Sequence, residues 1–407
     1  MGKLLIACDL FPPAFGPRMG YLTKYLKALG WEVVVVTERS SDHIFDVLTG
    51  YADRVVYVNY GQSWITWLCA MIADFLFNYK NRKIKKAMKR LLAEESFDVV
   101  LCSTYRLFPL EAASQVARKA GLPFVADLRD VIEQYTGNEF LKHKLPDWIA
   151  SRYRTRSIRK RNRVLKQADW VTTISSWHVE LLKQYNPNVS LIYNGFDPEL
   201  FYSQVIPTPV FTIAYTGRVL SLAMRDPSLL FEAVARLARE NYILPDYFRI
   251  GWYVDEASQR LLLPLIKKYD LASYTDFHGI VAAAKIPNIL NRSSVLLLLT
   301  NKADAQGPKG VMTTKIFEAF AVEKPVLCVR SDEGVLADTI SRAHAGVSAR
   351  TADEAYTFIR GQYDVWRRKR STHAAVDRTF VQSFSRRSQA EQFIHIFDKL
   401  AKHQTNG

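Results

Sequence analysis

Short unbroken apolar runs alternate with longer amphipathic stretches along the chain. Residues 3–8, 32–37, 98–102, 123–127, 170–174 and 190–193 are rich in Val, Ile and Leu without strict polar alternation. That pattern predicts parallel strands covered on both faces. Between Gly16 and Gly30, Met19, Leu22, Leu26 and Leu29 recur at helical spacing, with Gly30 as the stop. A proline-marked break, VIPTP, falls at 205–209. The alternation then restarts with strands predicted at 211–216, 247–254, 274–277, 295–300 and 325–329, and a helix at 227–239. The expected fold class is α/β: two Rossmann-like doubly wound domains facing a central cleft, divided into 1–205 and 206–383. Such a cleft is the default ligand site.

Charge sharpens this picture because it is uneven. The 407 residues carry 55 Lys+Arg against 40 Asp+Glu, a net +15. Residues 80–90 (KNRKIKKAMKR) and 152–163 (RYRTRSIRKRNR) each hold seven basic side chains and no acid. Without them, residues 1–205 would be net acidic, 14 basic against 20. The first cluster directly follows WITWLCAMIADFLF at 64–77, an apolar run too short for the ~20 residues a bilayer span needs. An apolar-aromatic run followed by a polybasic one matches an interfacial membrane anchor. Trp64, Trp67, Phe75 and Phe77 would supply the apolar contact. Lys83, Lys86, Arg90, Arg159 and Lys160 would supply the charge. The alternatives are a buried helix followed by a solvated basic one, or nucleic acid, for which no recognition signature is present.

Apolar residues make up 48% of the chain, which excludes a disordered or disulfide-stapled chain. Cys8, Cys69, Cys102 and Cys328 are scattered with no CxxC, and read as buried free thiols of a reducing compartment, hence cytoplasmic. The N-terminal apolar run is too short for a signal peptide.

The sequence lacks GxGxxG, a P-loop, GxSxG, HExxH and any DxD, so no metal is expected. Two arginines instead flank a glycine turn and a helix start: Gly217, Arg218 and Arg225 precede Asp226 and Pro227, an arrangement suited to an anion, although arginines of a surface loop read the same way. Downstream, GVMTTKIFEAFA at 310–321 follows an apolar strand and a polar loop. Backbone N–H groups near its helix start would point into the cleft. Glu318 is one carboxylate in an otherwise apolar helix and needs a partner, either ribose hydroxyls or a structural Arg or Lys.

These residues, taken in order, resemble the retaining family 4 glycosyltransferases of the GT-B fold, the bacterial surface-polysaccharide type in particular. FPPAFGPR at 11–18 resembles the FPP…GG loop, and DLRD at 127–130 resembles the DxRD stretch. NGFD at 194–197 with Phe201 resembles the NGVD…F hallmark. TKIFEAFA at 314–321 with KPV at 324–326 resembles SKLFEYLAAGKPV. The closing segment at 384–403 resembles the helix that packs back on the first domain.

The resemblance implies a donor site on the second domain. Gly217, Arg218 and Arg225 would hold the diphosphate, with Arg218 and Arg225 neutralising it as it leaves. Glu318 would bind the ribose, with Thr314 and Lys315 in the same motif. The backbone near His278 and Ile280 would hold the base. Position 310 is Gly where many members carry a first glutamate, so Lys309, Gly310, Val311 and Met312 would replace its sugar contacts. Gly16 would let the first-domain loop approach the diphosphate, and Arg18 would touch phosphate or acceptor. Arg129 and Asp130 would stand on the acceptor side as catalytic residues, or as a structural Arg–Asp pair.

The expected activity is transfer of a sugar from a UDP- or GDP-type nucleotide-sugar to a lipid-linked glycan or a lipopolysaccharide or capsule precursor. It would run without a cofactor, peripherally on the inner face of the cell membrane. The alternatives are a nucleotide-sugar epimerase or hydrolase of the same fold, or a non-catalytic membrane-docked nucleotide-sugar-binding module.

Overall fold

The structure, a computed structural model, describes residues 2–60, 73–74, 77–105, 107–134, 146–300 and 312–405. They divide into two compact units, Met1–Asn194 with Arg386–Gly407, and Gly195–Ser385.

In the first unit the apolar runs become β1 (Lys3–Cys8), β2 (Glu32–Glu38), β3 (Arg54–Val58), β4 (Val99–Thr104), β5 (Phe124–Leu128), β6 (Trp170–Thr173) and β7 (Val189–Leu191). They form a parallel sheet in the order β3-β2-β1-β4-β5-β6-β7. Successive side chains enter opposite layers. Leu5, Ala7, Val34 and Val36 pack with the helices Tyr79–Glu94 and Leu110–Ala120. Leu4, Ile6, Val33 and Val35 pack with the helix Pro17–Ala28 and with Phe393, Ile396 and Phe397 of the C-terminal helix Arg386–Thr405. Burial on both faces explains the continuous apolar runs. Cys8 and Cys102 are buried free thiols of this sheet, and Cys328 is one in the other sheet.

The second unit repeats the plan with β8 (Phe211–Thr216), β9 (Phe248–Tyr253), β10 (Thr275–Phe277), β11 (Val295–Leu299), β12 (Val326–Val329) and β13 (Gly346–Ala349). Their order, β10-β9-β8-β11-β12-β13, is again parallel throughout. Phe211, Phe248, Tyr363 and Trp366 form an aromatic cluster under one face. The strand tips of both sheets therefore rest on rigid, two-sided cores, and the loops that leave the C-terminal ends carry the chemistry.

The division falls at 194/195, ahead of the 205/206 expected from the prolines. The segment 195–205 is tied into the second unit. Phe196 donates its N–H to Phe384 O, Gln204 N–H donates to Asn291 Oδ1 and Asn291 Nδ2 donates to Tyr202 O. Asn291 thus holds the connecting segment, and the prolines lie inside the second unit. Among the described residues no helix is long and apolar enough to cross a membrane.

Candidate functional site

In the second unit the site begins where β8 ends. Gly217 has a positive φ of 113°, and a Cβ built there would lie 2.6 Å from Lys315 Nζ. The backbone conformation favours glycine, and its bare Cα lets the Lys315 amine seat against the turn. Lys315 Nζ also lies 4.1 Å from the centre of the Tyr215 ring. The Tyr215 hydroxyl donates to Arg218 O at 2.9 Å and accepts from Arg225 Nη1 at 3.4 Å. Arg225 Nη1 donates to Arg218 O as well. The buried tyrosine thus draws Arg225 and Lys315 to the glycine turn. Burial pushes the Lys315 amine down to about 7, Arg225 adds repulsion, and Glu318 opposes both.

Arg218 is turned outward. Its Nε lies 3.2 Å from Asp255 Oδ2, with the side chain 67% exposed. Asp255 caps the helix Glu256–Lys268 by accepting from Ser258 N. Thr314 is exposed, Met312 is buried and Glu318 is half-buried, one turn beyond Lys315. Ile316, Phe317 and Phe320 fix that helix in the core. His278 stacks flat on Tyr253, with ring centres 4.5 Å apart, and Ile280 is exposed beside Gly279. The His278 N–H donates to Trp252 O, so it is not available to a base. Lys309, Gly310 and Val311 lie outside the described residues.

The first unit brings a different set together. Arg18 is buried and bonds Asp127 through Nε and Nη2 at 3.0 and 2.8 Å. Its remaining donors go to Ile192 O, Tyr193 O and Asn194 Oδ1. All five guanidinium hydrogens are used inside the unit, so Arg18 is a structural residue rather than a phosphate or acceptor contact. Asp127 also accepts from Ser103 and Thr172. Burial pushes its carboxyl up, but Arg18 and these hydroxyls prevail and hold it below the usual carboxylate range.

Gly16 is required for a reason other than ligand approach. A Cβ there would lie 2.7 Å from Leu10 O and 2.8 Å from Phe11 Cα, so the loop folds tightly on itself.

Arg129 pairs with Asp9, at the end of β1, and not with its sequence neighbour. Asp130 is half-buried, accepts from Gln134 Nε2 at 2.9 Å, and is pushed up to about 6 by burial. The two members of the DxRD stretch therefore have separate partners. Neither Asp9, Gln134, Tyr215 nor Asp255 stands out in the sequence. Only the helix-start pattern at 255–258 gives a signal, since Asp followed three residues later by Ser is a plausible cap.

The basic segments hold fewer available charges than their composition suggests. On the helix Tyr79–Glu94, Lys80 pairs with Glu38, Lys85 donates to Gln115 and Arg90 pairs with Glu94. Lys83 donates to Asn59 O, leaving Arg82, Lys86 and Lys89 exposed with no ion pair among the described residues. On the helix Asp147–Leu165, Arg161 is buried in a two-bond pair with Glu133. Lys160 lies 3.9 Å from Glu111. Arg152, Arg156, Arg159 and Arg163 are exposed, together with Trp148 at 72%. Phe77 is exposed, whereas Trp64, Trp67 and Phe75 lie outside the described residues.

Known proteins agree with this plan. No curated protein matches the chain significantly. The model of Glycosyltransferase Family 4 matches residues 18–200. Among solved structures, sucrose-phosphate synthase from Thermosynechococcus elongatus is similar at a TM-score of 0.66 and 16% identity, covering 98% of this chain and 99% of that one. Anabaena Alr3699/HepE in complex with UDP is similar at 0.67 and 15%, covering 98% and 100%. The lipopolysaccharide outer core galactosyltransferase WaaB is similar at 0.60 and 13%, covering 98% and 99%. Residues 18–200 thus match Glycosyltransferase Family 4, and the two parallel Rossmann-like sheets together with these likenesses show the GT-B fold.

Proposed function

We propose that this protein is a glycosyltransferase that moves a sugar, with retention, from a UDP- or GDP-type nucleotide-sugar to a lipid-linked glycan or a lipopolysaccharide or capsule precursor. The observation that carries the donor side is the convergence of Arg225 and Lys315 on the Gly217 turn, with Arg218 beside it. A leaving diphosphate develops negative charge, and fixed cations at that point stabilise it in the transition state. Side chains supply this charge in the proposal, without a metal ion. HepE, which binds UDP and UDP-glucose, supports a uridine nucleotide. Retention is inferred from the family match over residues 18–200, and WaaB supports a lipopolysaccharide-type acceptor. Asp130 and Arg129 would meet the acceptor hydroxyl.

The membrane part of the proposal rests on exposed arginines and Trp148 on one helix and Lys86, Lys89 and Arg82 on another. Each such charge near an anionic surface contributes about 1 kcal/mol, so seven suffice for reversible docking on the inner membrane face. Vesicles with and without anionic lipid test this part directly.

Thermal shift with UDP-, GDP-, CMP- and dTDP-sugars, with and without EDTA, tests the donor. Ligand at about 100 times its Kd stabilises the folded state by about 2.7 kcal/mol. One nucleotide class raises the melting temperature, EDTA leaves the rise intact, and Arg225→Ala cancels it. No shift from any nucleotide would favour the binding-module alternative with a degenerate donor site. A shift that EDTA abolishes would overturn the metal-free mechanism.

A further inference from the structure

His178 is 1% exposed, and the transfer reading gives it no role. It lies in a chain of hydrogen bonds that ends on Asp130. Gln134 Nε2 donates to Asp130 Oδ1 at 2.9 Å, and Gln134 Oε1 lies 2.9 Å from His178 Nε2. His178 Nδ1 lies 3.0 Å from Thr173 Oγ1, which is itself 3.0 Å from Leu128 O. Gln134 and Thr173 are buried, so no water substitutes for a missing partner without rearrangement.

With the proton shared between Asp130 Oδ1 and Gln134, counting hydrogens along this chain gives two self-consistent states. With Asp130 ionised, the Gln134 amide points its NH2 at the carboxylate and its oxygen at His178. The imidazole proton must then sit on Nε2, and Nδ1 accepts the single hydroxyl hydrogen of Thr173. With Asp130 protonated on the oxygen that faces Gln134, its O–H needs an acceptor there. The amide turns over, its oxygen accepts from Asp130 and its NH2 donates to a bare Nε2. The imidazole proton then sits on Nδ1 and donates to Thr173, whose hydroxyl turns to Leu128 O. One proton enters at the carboxyl, His178 stays neutral throughout, and no donor faces a donor in either state. The two amide orientations fill the same space, so the exchange needs no repacking.

We propose that Gln134 and His178 are positioning residues for Asp130, and that the Gln134 amide and the His178 tautomer reverse together whenever Asp130 gains or loses a proton. The chain holds one carboxylate oxygen in place and leaves the other for an acceptor hydroxyl. The meaning of this for transfer rests on reading Asp130 as the acceptor-side carboxyl, but the coupling itself does not.

The charged surroundings permit the exchange. Arg129 faces Asp130 and favours its ionised form, although Asp9 partly neutralises that arginine. Glu133 and Arg161 face His178 with opposite signs and pair with each other. Burial pushes Asp130 up to about 6 and His178 down to about 4. Between those values and neutrality, only the carboxyl titrates.

The test is nitrogen NMR of the full-length protein with labelled histidine, from pH 5 to 8 and without substrate. Protonated and bare ring nitrogens resonate far apart, so the tautomer is read directly. His178 is expected to pass from Nδ1–H to Nε2–H as pH rises, with its population ratio changing about tenfold per unit around a midpoint near 6. Asp130→Asn, which cannot titrate, is expected to hold a single tautomer over the whole range. One unchanging tautomer in the wild type, a reversal that persists in Asp130→Asn, or both nitrogens protonated at pH 7 would each overturn the coupling. Because no donor or acceptor is present, none of these outcomes bears on the transferase reading.

Discussion

Arg18 in the first unit and Arg218 in the second each bond an aspartate, in opposite surroundings. Arg18 is 4% exposed, Asp127 is fully buried, and every guanidinium hydrogen has a partner inside the unit. Arg218 is largely in water with one bond to Asp255 at 3.2 Å. A buried pair is held by the surrounding network, and removing one partner leaves a charge that the interior cannot solvate. An exposed pair is weak, and its cation remains available to a ligand. The difference separates an arginine that builds the fold from one whose cation is open to a ligand, although both lie within two residues of a glycine in the sequence.

The largest effect should come from breaking the closed pair. Arg18→Met strands Asp127 and is expected to cost about 3–5 kcal/mol, read as a fall in the urea midpoint at pH 7. Adding Asp127→Asn should recover part of that loss, because the uncompensated charge is gone. The wild type carries a matching pH signature. Asp127 is held below its unfolded value of about 3.9, so its contribution is present above that pH and is lost as pH falls through the lower folded value. Equal stability of wild type and Arg18→Met at pH 7 would place Arg18 on the ligand side of the comparison after all.

Much of this contrast was invisible in the sequence. The continuous apolar runs announced eleven of the thirteen described strands, most of them buried on both faces, as in β1, β4 and β11, while the edge strands β7 and β10 are half-buried. The other two edge strands, β3 and β13, did not stand out, since partly exposed residues such as Arg54 and Tyr57 blur the pattern. Gly217, Arg225 and Lys315 were legible because each belongs to a motif and the fold gathers their loops at one strand tip. Arg18 was not, because its partner Asp127 is 109 residues away and spacing carries no information about that meeting. His178 and Gln134 are 44 residues apart and match no motif. Burial decides these roles, and burial of a polar side chain follows from three-dimensional packing.

A smaller effect sharpens the second unit's side of the comparison. Lys315 is held at about 7 against an ordinary 10.5, by burial and then by Arg225. A bound diphosphate adds negative charge beside it and raises that value, so binding above pH 7 takes up a proton. Affinity for a nucleotide-sugar should therefore fall as pH rises from 7 to 8.5, by at most tenfold per unit. Stability should move the other way. Between about pH 7 and 10.5 the unfolded chain binds the proton that folded Lys315 lacks, so Lys315 makes stability rise with pH in that window. Lys315→Met should flatten the affinity profile, as measured by calorimetric titration. An unchanged profile in that variant would remove the amine from the diphosphate site.

The smallest expected effect is on the exposed pair, and its smallness is the point. Arg218→Ala removes one bond to Asp255, whose carboxylate keeps its bond from Ser258 N at the helix start. Both groups stay in contact with water, so no charge is stranded and stability should change by less than about 1 kcal/mol. Nucleotide-sugar affinity should fall more than stability, because a charge-assisted bond to phosphate is worth about 1.5–3 kcal/mol. The informative quantity is the ratio of the two losses. Chemical denaturation and nucleotide titration on the same preparation give both. If Arg218→Ala destabilises the fold as much as it weakens binding, Arg218 belongs with Arg18 as a structural residue, and Arg225 and Lys315 hold the diphosphate without it.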